Sequence, residues 1–230
     1  MKIDFHIHTY HSPDSLMKPA RILRIAKRRG LDGIVICDHN TIKGGIEAQK
    51  INDDKNFHVI VGAEIATDAG DVTGIFLTEE IESRNFEDVV KEIWAQNGKV
   101  ILNHPYRRHD LSKIDLSKID FIEGYNSRLN EEVNQKAIKL AKDNGIPVIA
   151  GSDAHCYPEI GNSRTVVKDL ESLLPLNLEY KKSKQIYVTL SQYAKAFKSR
   201  SVRVFISATI VYIKYSARKC IKAIKSAFIR

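Results

Sequence analysis

The residue types in this chain that could carry chemistry recur at similar positions. His6 and His8 open the sequence, Asp14 follows, and then come Asp38-His39, Glu64, Asn103-His104-Pro105 and Asp153-Ala-His155. Imidazole nitrogens and carboxylate oxygens with no thiolate among them form a ligand set suited to zinc, manganese or iron, and affinity order alone does not choose between these metals. His6 and His8 stand two apart, so on a strand with Asp4 they would share one face while Ile3, Phe5 and Ile7 occupy the other. Asp153 and His155 repeat that spacing. Taken singly, Asp38 or Asn103 could be turn caps, His104 a turn residue before proline, and Glu64 a surface charge. Five of the chain's eight histidines lie at such places, and that joint placement argues for one shared centre.

Short apolar runs alternate with helix-like segments to about residue 153, the pattern of βα units around a parallel sheet. The runs predict strands at Lys2–Ile7, Gly33–Cys37, His58–Ala63, Asp71–Leu77, Lys99–Leu102, Phe121–Tyr125 and Pro147–Ala150. Helical spacing marks Pro19–Arg29, Gly45–Ile51, Asn85–Gln96 and Glu131–Asn144, with Gly30, Gly98 and Gly145 as C-terminal stops. The link Asp68–Gly70 is too short for a helix, so the fourth strand can pair antiparallel with the third. Seven strands favour a closed or nearly closed barrel, whose strand ends converge on one mouth and would bring the candidate ligands together.

Composition bounds the rest. The 230 residues fit one large domain with an extension. Residues 181–230 hold thirteen Lys and Arg and no acidic residue, leaving 23 basic against 28 acidic side chains, net −5, in residues 1–180. An acidic body with a basic tail directs any search for an anionic partner, membrane surface or RNA, to the tail. Three cysteines without C-x-x-C spacing suggest no disulfide framework and a reduced cytoplasmic location. No signal peptide or transmembrane segment is expected.

The four motifs in order, His6-x-His8 with Asp14, Asp38-His39, His104 and Asp153-x-His155, together with Glu64, closely resemble those of the PHP (polymerase and histidinol phosphatase) superfamily over about residues 1–170. The resemblance implies an α/β fold, a distorted (β/α)7 TIM-like barrel, and a metal-dependent phosphoesterase occupying residues 1–200. It implies two or three divalent ions (Zn, Mn or Fe): one held by His6, His8, Glu64 and Asp153, a second bridged by Glu64 and bound by His104, a third held by Asp14, His39 and His155. Family members often carry a further histidine on the strand between the last two motifs. This chain has Phe-Ile-Glu123-Gly-Tyr-Asn126 there, so Asn126 or a water is expected to stand in.

The implied reaction is hydrolysis of a phosphomonoester, or of a nucleotide or oligonucleotide phosphodiester, by a metal-activated hydroxide. His6, His8, Glu64 and Asp153 carry it, and no serine or cysteine nucleophile is needed. A phosphate needs further positive charge, expected from Arg128 first, then Arg107 or Arg108, with Asn126 nearby. Two other readings stay open: a non-catalytic RNA-associated barrel that binds nucleic acid through its tail, and metal-dependent amide hydrolysis, which usually recruits a strand-end lysine that is missing here. Residues 186–199 read as a last strand and helix. Beyond them, residues 201–230 read as a basic amphipathic extension whose stripe of Cys220, Ile221, Ile224, Ala227 and Phe228 is expected to pack on the barrel.

Overall fold

In the computed structural model, which describes residues 1–228, strands and helices fall close to where the apolar periodicity places them. Side chains are described for all of these except Lys219 and residues 222–228. The order is β1 (Lys2–Ile7), α1 (Pro19–Arg28), β2 (Gly33–His39), α2 (Lys43–Ile51), β3 (His58–Thr67), β4 (Gly70–Ile75), α3 (Phe86–Ala95), β5 (Lys99–Leu102), β6 (Phe121–Asn126), α4 (Glu131–Asp143), β7 (Val148–Gly151), β8 (Ser163–Val167), β9 (Pro175–Tyr180), α5 (Gln185–Lys198) and α6 (Val202–Phe228). Local chemistry sets several ends. Pro19 pre-sets the first turn of α1, Asn85 accepts from the Glu87 amide to cap α3, and Gly30 and Gly145 take positive φ after α1 and α4. After α3 it is Asn97, at φ 57°, that makes the left-handed stop expected of Gly98.

One sheet runs β7-β6-β5-β4-β3-β2-β1-β8-β9. Strands β1, β2 and β3 pair in parallel, as do β5, β6 and β7, while β4 runs antiparallel to both its neighbours. The short turn before β4 dictates that reversal. The sheet curls until the ends meet: the His8 amide donates to the Ala154 carbonyl at 2.9 Å, and the Ala154 amide to the His6 carbonyl at 3.1 Å. Strand β8 fills the remaining gap, with Thr165 Oγ1 accepting from the Ala150 amide. The result is a nearly closed (β/α)7-type barrel, distorted by the β3–β4 hairpin, with a C-terminal helical extension.

The interior is layered. Ile3, Phe5, Val35, Cys37, Ile60, Ile75, Ile101, Phe121 and Ile149 fill the lower barrel as one apolar cluster. Because strand side chains alternate, residues two positions further on the same strands, His39, Asn103 and Glu123, project into the layer above, and Glu64 lies two pairs beyond Ile60. Strand β1 reaches that layer differently. Its pairing register shifts between Asp4 and Ile7, and such a bulge adds one residue and reverses the alternation. Phe5 therefore packs in the barrel while His6 and His8 join the upper layer. Asp4, which simple alternation would place on their face, does not share it. Its buried carboxylate accepts from the amides of His6, Ser152 and Gly161.

Two expectations give way at the C-terminal end. β8 and β9 form where no strong alternating signal predicts a strand, and residues 186–189 are helical, the first part of α5, although Ile-Tyr-Val-Thr has β-branched character. The tertiary contacts decide there: Thr189 and Ser191 are buried, and Ser191 Oγ accepts from Arg128.

Candidate metal centre

At the mouth, eight predicted ligands converge. Glu64, at the end of β3, is the hub. Its Oε1 accepts from Asn103 at 3.1 Å and lies 3.0 Å from His104 Nε2, and its Oε2 lies 3.0 Å from His39 Nδ1, 3.5 Å from His8 Nε2 and 3.6 Å from His6 Nε2. Asp153, just past β7, places Oδ1 3.7 Å from His6 Nε2 and 3.6 Å from His8 Nε2. Asp14 faces His155 Nε2 at 3.2 Å and His39 Nε2 at 3.5 Å.

The tautomers of the first two histidines follow from their far nitrogens. His6 Nδ1 lies 2.9 Å from the Glu123 carboxylate, which can only accept, so Nδ1 carries a proton. His8 Nδ1 lies 3.0 Å from Ser12 Oγ, whose own proton goes to Asp38, so His8 Nδ1 is also the donor. Both Nε2 atoms would then present lone pairs to one another at 3.0 Å. Two lone pairs at that distance repel, so a positive charge has to lie between them, either a proton on one Nε2 or a cation. The distances fit a cation. His6 Nε2, His8 Nε2, Glu64 Oε2 and Asp153 Oδ1 are spaced 3.0–3.7 Å wherever imidazole is one partner, and a tetrahedral shell with bonds of about 2.1 Å has edges of about 3.4 Å. His104 Nδ1 is buried without a hydrogen-bond partner, and Asp14 Oδ1, although 3.2 Å from His155 Nε2, makes no hydrogen bond with it, further capacity of the kind a bound ion would use.

Electrostatics follow the same division. Burial alone would raise the Glu64 and Asp153 carboxyls, but the charge of His39 and His6 on Glu64, and of His6 on Asp153, holds both well below the carboxylate range. Burial, and the neighbouring charge of His155, push His8 down to about 3, so it stays neutral. Burial works against protonation of His6 as well, yet the carboxylates around it raise it well above its ordinary value. The charge between the two Nε2 atoms is thus a proton on His6 wherever no metal displaces it. His39, flanked by Glu64 and Asp14, is raised to about 9 despite its burial.

Backbone strain marks the centre too. His104 and Asp153 adopt φ of 30° and 52°, in a region non-glycine residues avoid. Gly151 is required for the reverse reason: a Cβ there would lie 2.5 Å from both Glu123 Oε1 and His6 Cβ.

Three residues beside the ligands had not been singled out in the sequence. Glu123 is the most informative: besides orienting His6, it accepts from the His104 amide and from Asn126. Its position two residues past Phe121 on an inward-facing strand could have given it away. Cys37 lies within ligand distance of His6 and His8, and Asp71 of Glu64 and His104. Burial pushes the Cys37 thiol up, so it stays protonated.

The substrate-binding expectations divide. Asn126 is at the centre, its amide donating to Glu123 and, at 3.3 Å, to Asp153. Arg107 reaches Asp153 Oδ2 at 3.4 Å from a side chain that is 40% exposed. Arg128, the first expectation, is placed otherwise. It is buried, with Nε on Glu159, Nη1 2.9 Å from His155 Nδ1, and Nη2 on the Tyr187 carbonyl and Ser191 Oγ. Those engagements commit Arg128 to bracing the His155 loop against α5, in place of the free phosphate grip that the sequence suggests. Arg164 pairs with Glu179 between β8 and β9, and His11 with Glu47.

Comparison with known proteins agrees with this geometry. Residues 131–174 match the family model described as PHP-associated. Two uncharacterized proteins of Methanocaldococcus jannaschii are similar to the chain. One is 39% identical over 117 residues (46% of this chain, 68% of the relative), the other 31% over 193 residues (79% and 76%). A 66-residue stretch, 29% of this chain and 24% of the relative, is 33% identical to a 5'-3' exoribonuclease of Haemophilus influenzae. Among solved structures, a two-domain Bacteroides vulgatus protein described as containing a predicted PHP-like metal-dependent phosphoesterase superposes with a TM-score of 0.64 at 22% identity. That match covers 75% of this chain and 61% of the other. The chain belongs to one family with these Methanocaldococcus proteins, and its barrel has the same fold as that PHP-like solved structure.

Proposed function

We propose that the chain hydrolyses a phosphate ester, a phosphomonoester or the end of a nucleotide or oligonucleotide, using two or three divalent cations (Zn, Mn or Fe). The observation that carries this is the set of His6, His8, Glu64 and Asp153, whose ligand atoms surround a point that demands positive charge. Glu64 would share its second oxygen with His104, and Asp14, His39 and His155 would hold the outer ion. Such ions, when bound, supply an activated water and neutralise charge on the phosphoryl oxygens.

The chain's own residues do the rest. Glu123 and Ser12 fix the imidazole tautomers so that Nε2 lone pairs face inward. Arg107, exposed and loosely held on Asp153, can turn its guanidinium to two phosphoryl oxygens. Asn126 donates beside it. The chemistry favours phosphate over amide substrates: among the described residues, the ion pairs of the cluster are made by His, Asp, Glu and Arg, with no lysine amine. The partial match to an exoribonuclease supports a nucleotide-containing substrate.

The test is purified full chain, stripped with chelator and reloaded separately with manganese, zinc or ferrous iron, assayed on an aryl phosphate and a nucleotide panel alongside elemental analysis. Metal-dependent phosphate release with bound metal is expected. No turnover with any ion, together with no metal retained, overturns the proposal. Arg107→Met should raise KM more than it lowers kcat.

A further inference from the structure

Of the stripe that the sequence expects helix α6 to pack, Cys220 and Ile221 are described and both are exposed, and the helix before them carries a second apolar stripe. The side turned to α5 carries Val204, Ala208, Tyr212 and Ser216, of which only Ala208 is buried, while Tyr193 of α5 stacks on Phe205 at 4.9 Å and bonds Thr209. The outward side carries Val202, Ile206, Ile210, Ile213, Ala217 and Ile221, spaced by four, four, three, four and four residues, and all six are exposed. Val202 is 71% and Ile213 59% exposed, and Phe197 at the end of α5 is 77% exposed beside them. Cys220 is exposed as well, whereas Ile224, Ala227 and Phe228 lie outside the described side chains.

This stripe runs about 28 Å along the helix, at about 1.5 Å per residue. It is bordered on one side by Arg203, Lys214 and Arg218, all exposed. No acidic residue occurs from 181 to 230.

We propose that α6 lies on an anionic lipid surface, with its apolar stripe in the headgroup–acyl boundary and its bordering cations on lipid phosphates and carboxylates. Charge decides between occupants. Pairing α6 with the same helix of a second copy would bring cations against cations with no acidic partner, which disfavours association. An anionic bilayer offers both an apolar layer for the stripe and negative charge for its border, and long cationic stems can reach up to it. The helix lies on the surface and does not cross it: no described helix is long and apolar enough to span a membrane. RNA would answer the cations but leave the isoleucines in water.

The test is sedimentation of the full chain with phosphatidylcholine vesicles, with and without phosphatidylserine, at low and high salt. Binding is expected only with phosphatidylserine and is expected to fall at least about tenfold at high salt. The triple variants I206E/I210E/I213E and R203E/K214E/R218E should each lose binding, with circular dichroism and melting temperature unchanged because every altered side chain is exposed. Equal binding to neutral vesicles, no sedimentation, or retained binding by a folded I206E/I210E/I213E variant overturns the proposal. So does light scattering that shows a dimer which this variant dissociates. RNA binding that the variant leaves intact, without vesicle binding, also overturns it.

Discussion

The two halves of the candidate metal centre are built differently. The inner half, His6, His8, Glu64, His104 and Asp153, is set on strand ends, and none of these side chains is more than 3% exposed. Its carboxylates are held ionised, and its first two histidines have tautomers fixed by Glu123 and Ser12. The outer half, Asp14, His39 and His155, rests mainly on loops, with His39 26% exposed. His155 Nδ1 stands 2.9 Å from both a donor, Arg128, and an acceptor, the Asp153 carbonyl, so its surroundings do not fix one tautomer. Strands confer fixed donor geometry, while loops leave ligands that can protonate or move. The inner cation should therefore be permanent and the outer one exchangeable.

The largest effect should come from the hub. Glu64→Gln removes a charge shared by both halves and is expected to cut hydrolysis on the order of 10³-fold. Elemental analysis should show loss of all bound metal, whereas Asp14→Asn should cost only the outer ion. Equal metal loss in the two variants would erase the distinction between the halves.

Next comes Glu123→Gln, which keeps the shape but lets the amide present either a donor or an acceptor to His6. Metal affinity at the inner half should weaken about 10–100-fold, read by competition with a chelating dye. Unchanged affinity would mean that packing alone orients His6.

How far the sequence reveals this centre depends on which interaction places each residue. The eight candidate ligands are legible because strand ends repeat one chemistry, and β4's reversal is legible in a link too short for a helix. Asp4 misleads because a bulge inside β1 is a three-dimensional choice, invisible to alternation. Arg128 misleads for a related reason: its partners, Glu159, Tyr187 and Ser191, are distant in sequence, and an arginine near a phosphate site reads the same whether its donors are free or engaged. The stripe on α6 is visible as periodicity, but periodicity gives an apolar face without saying what covers it.

A smaller effect is expected from pH, and it should appear in the outer half. His39 is raised from 6.5 to about 9 by Glu64 and Asp14 against the effect of burial. A folded value above the unfolded one stabilises the metal-free chain fully below about 6.5, and that contribution is lost as pH rises through about 9. The melting temperature of chelated protein should fall across that window, and His39→Gln should flatten the fall. Metal binding runs the other way, since the ion must displace the His39 proton, so outer-site affinity should rise toward pH 9. An outer-site affinity independent of pH would show that His39 is not a ligand there.

The smallest effect should come from outside the cluster. Lys198, the last residue of α5, donates its ammonium to the carbonyls of Tyr10 and Ser12, tying α5 to the loop between His8 and Asp14. Ser12 is a junction: its hydroxyl meets His8 Nδ1, donates to Asp38 and accepts from the His39 amide. Asp38 is in turn held against Thr9, where Gly44 leaves the space: a Cβ there would lie 1.9 Å from the Asp38 carboxylate. Lys198→Met keeps the aliphatic stem and removes two charge-assisted bonds from a loop that other contacts still hold. Outer-site affinity should fall a few-fold, below the ~10-fold typical of losing a bond directly to a ligand, while the inner ion stays. Metal titration with amide exchange of residues 10–15 distinguishes the outcomes: faster exchange with weaker outer binding ties α5 to the centre, and faster exchange with binding unchanged would show that the loop holds Asp14 without help from the helix.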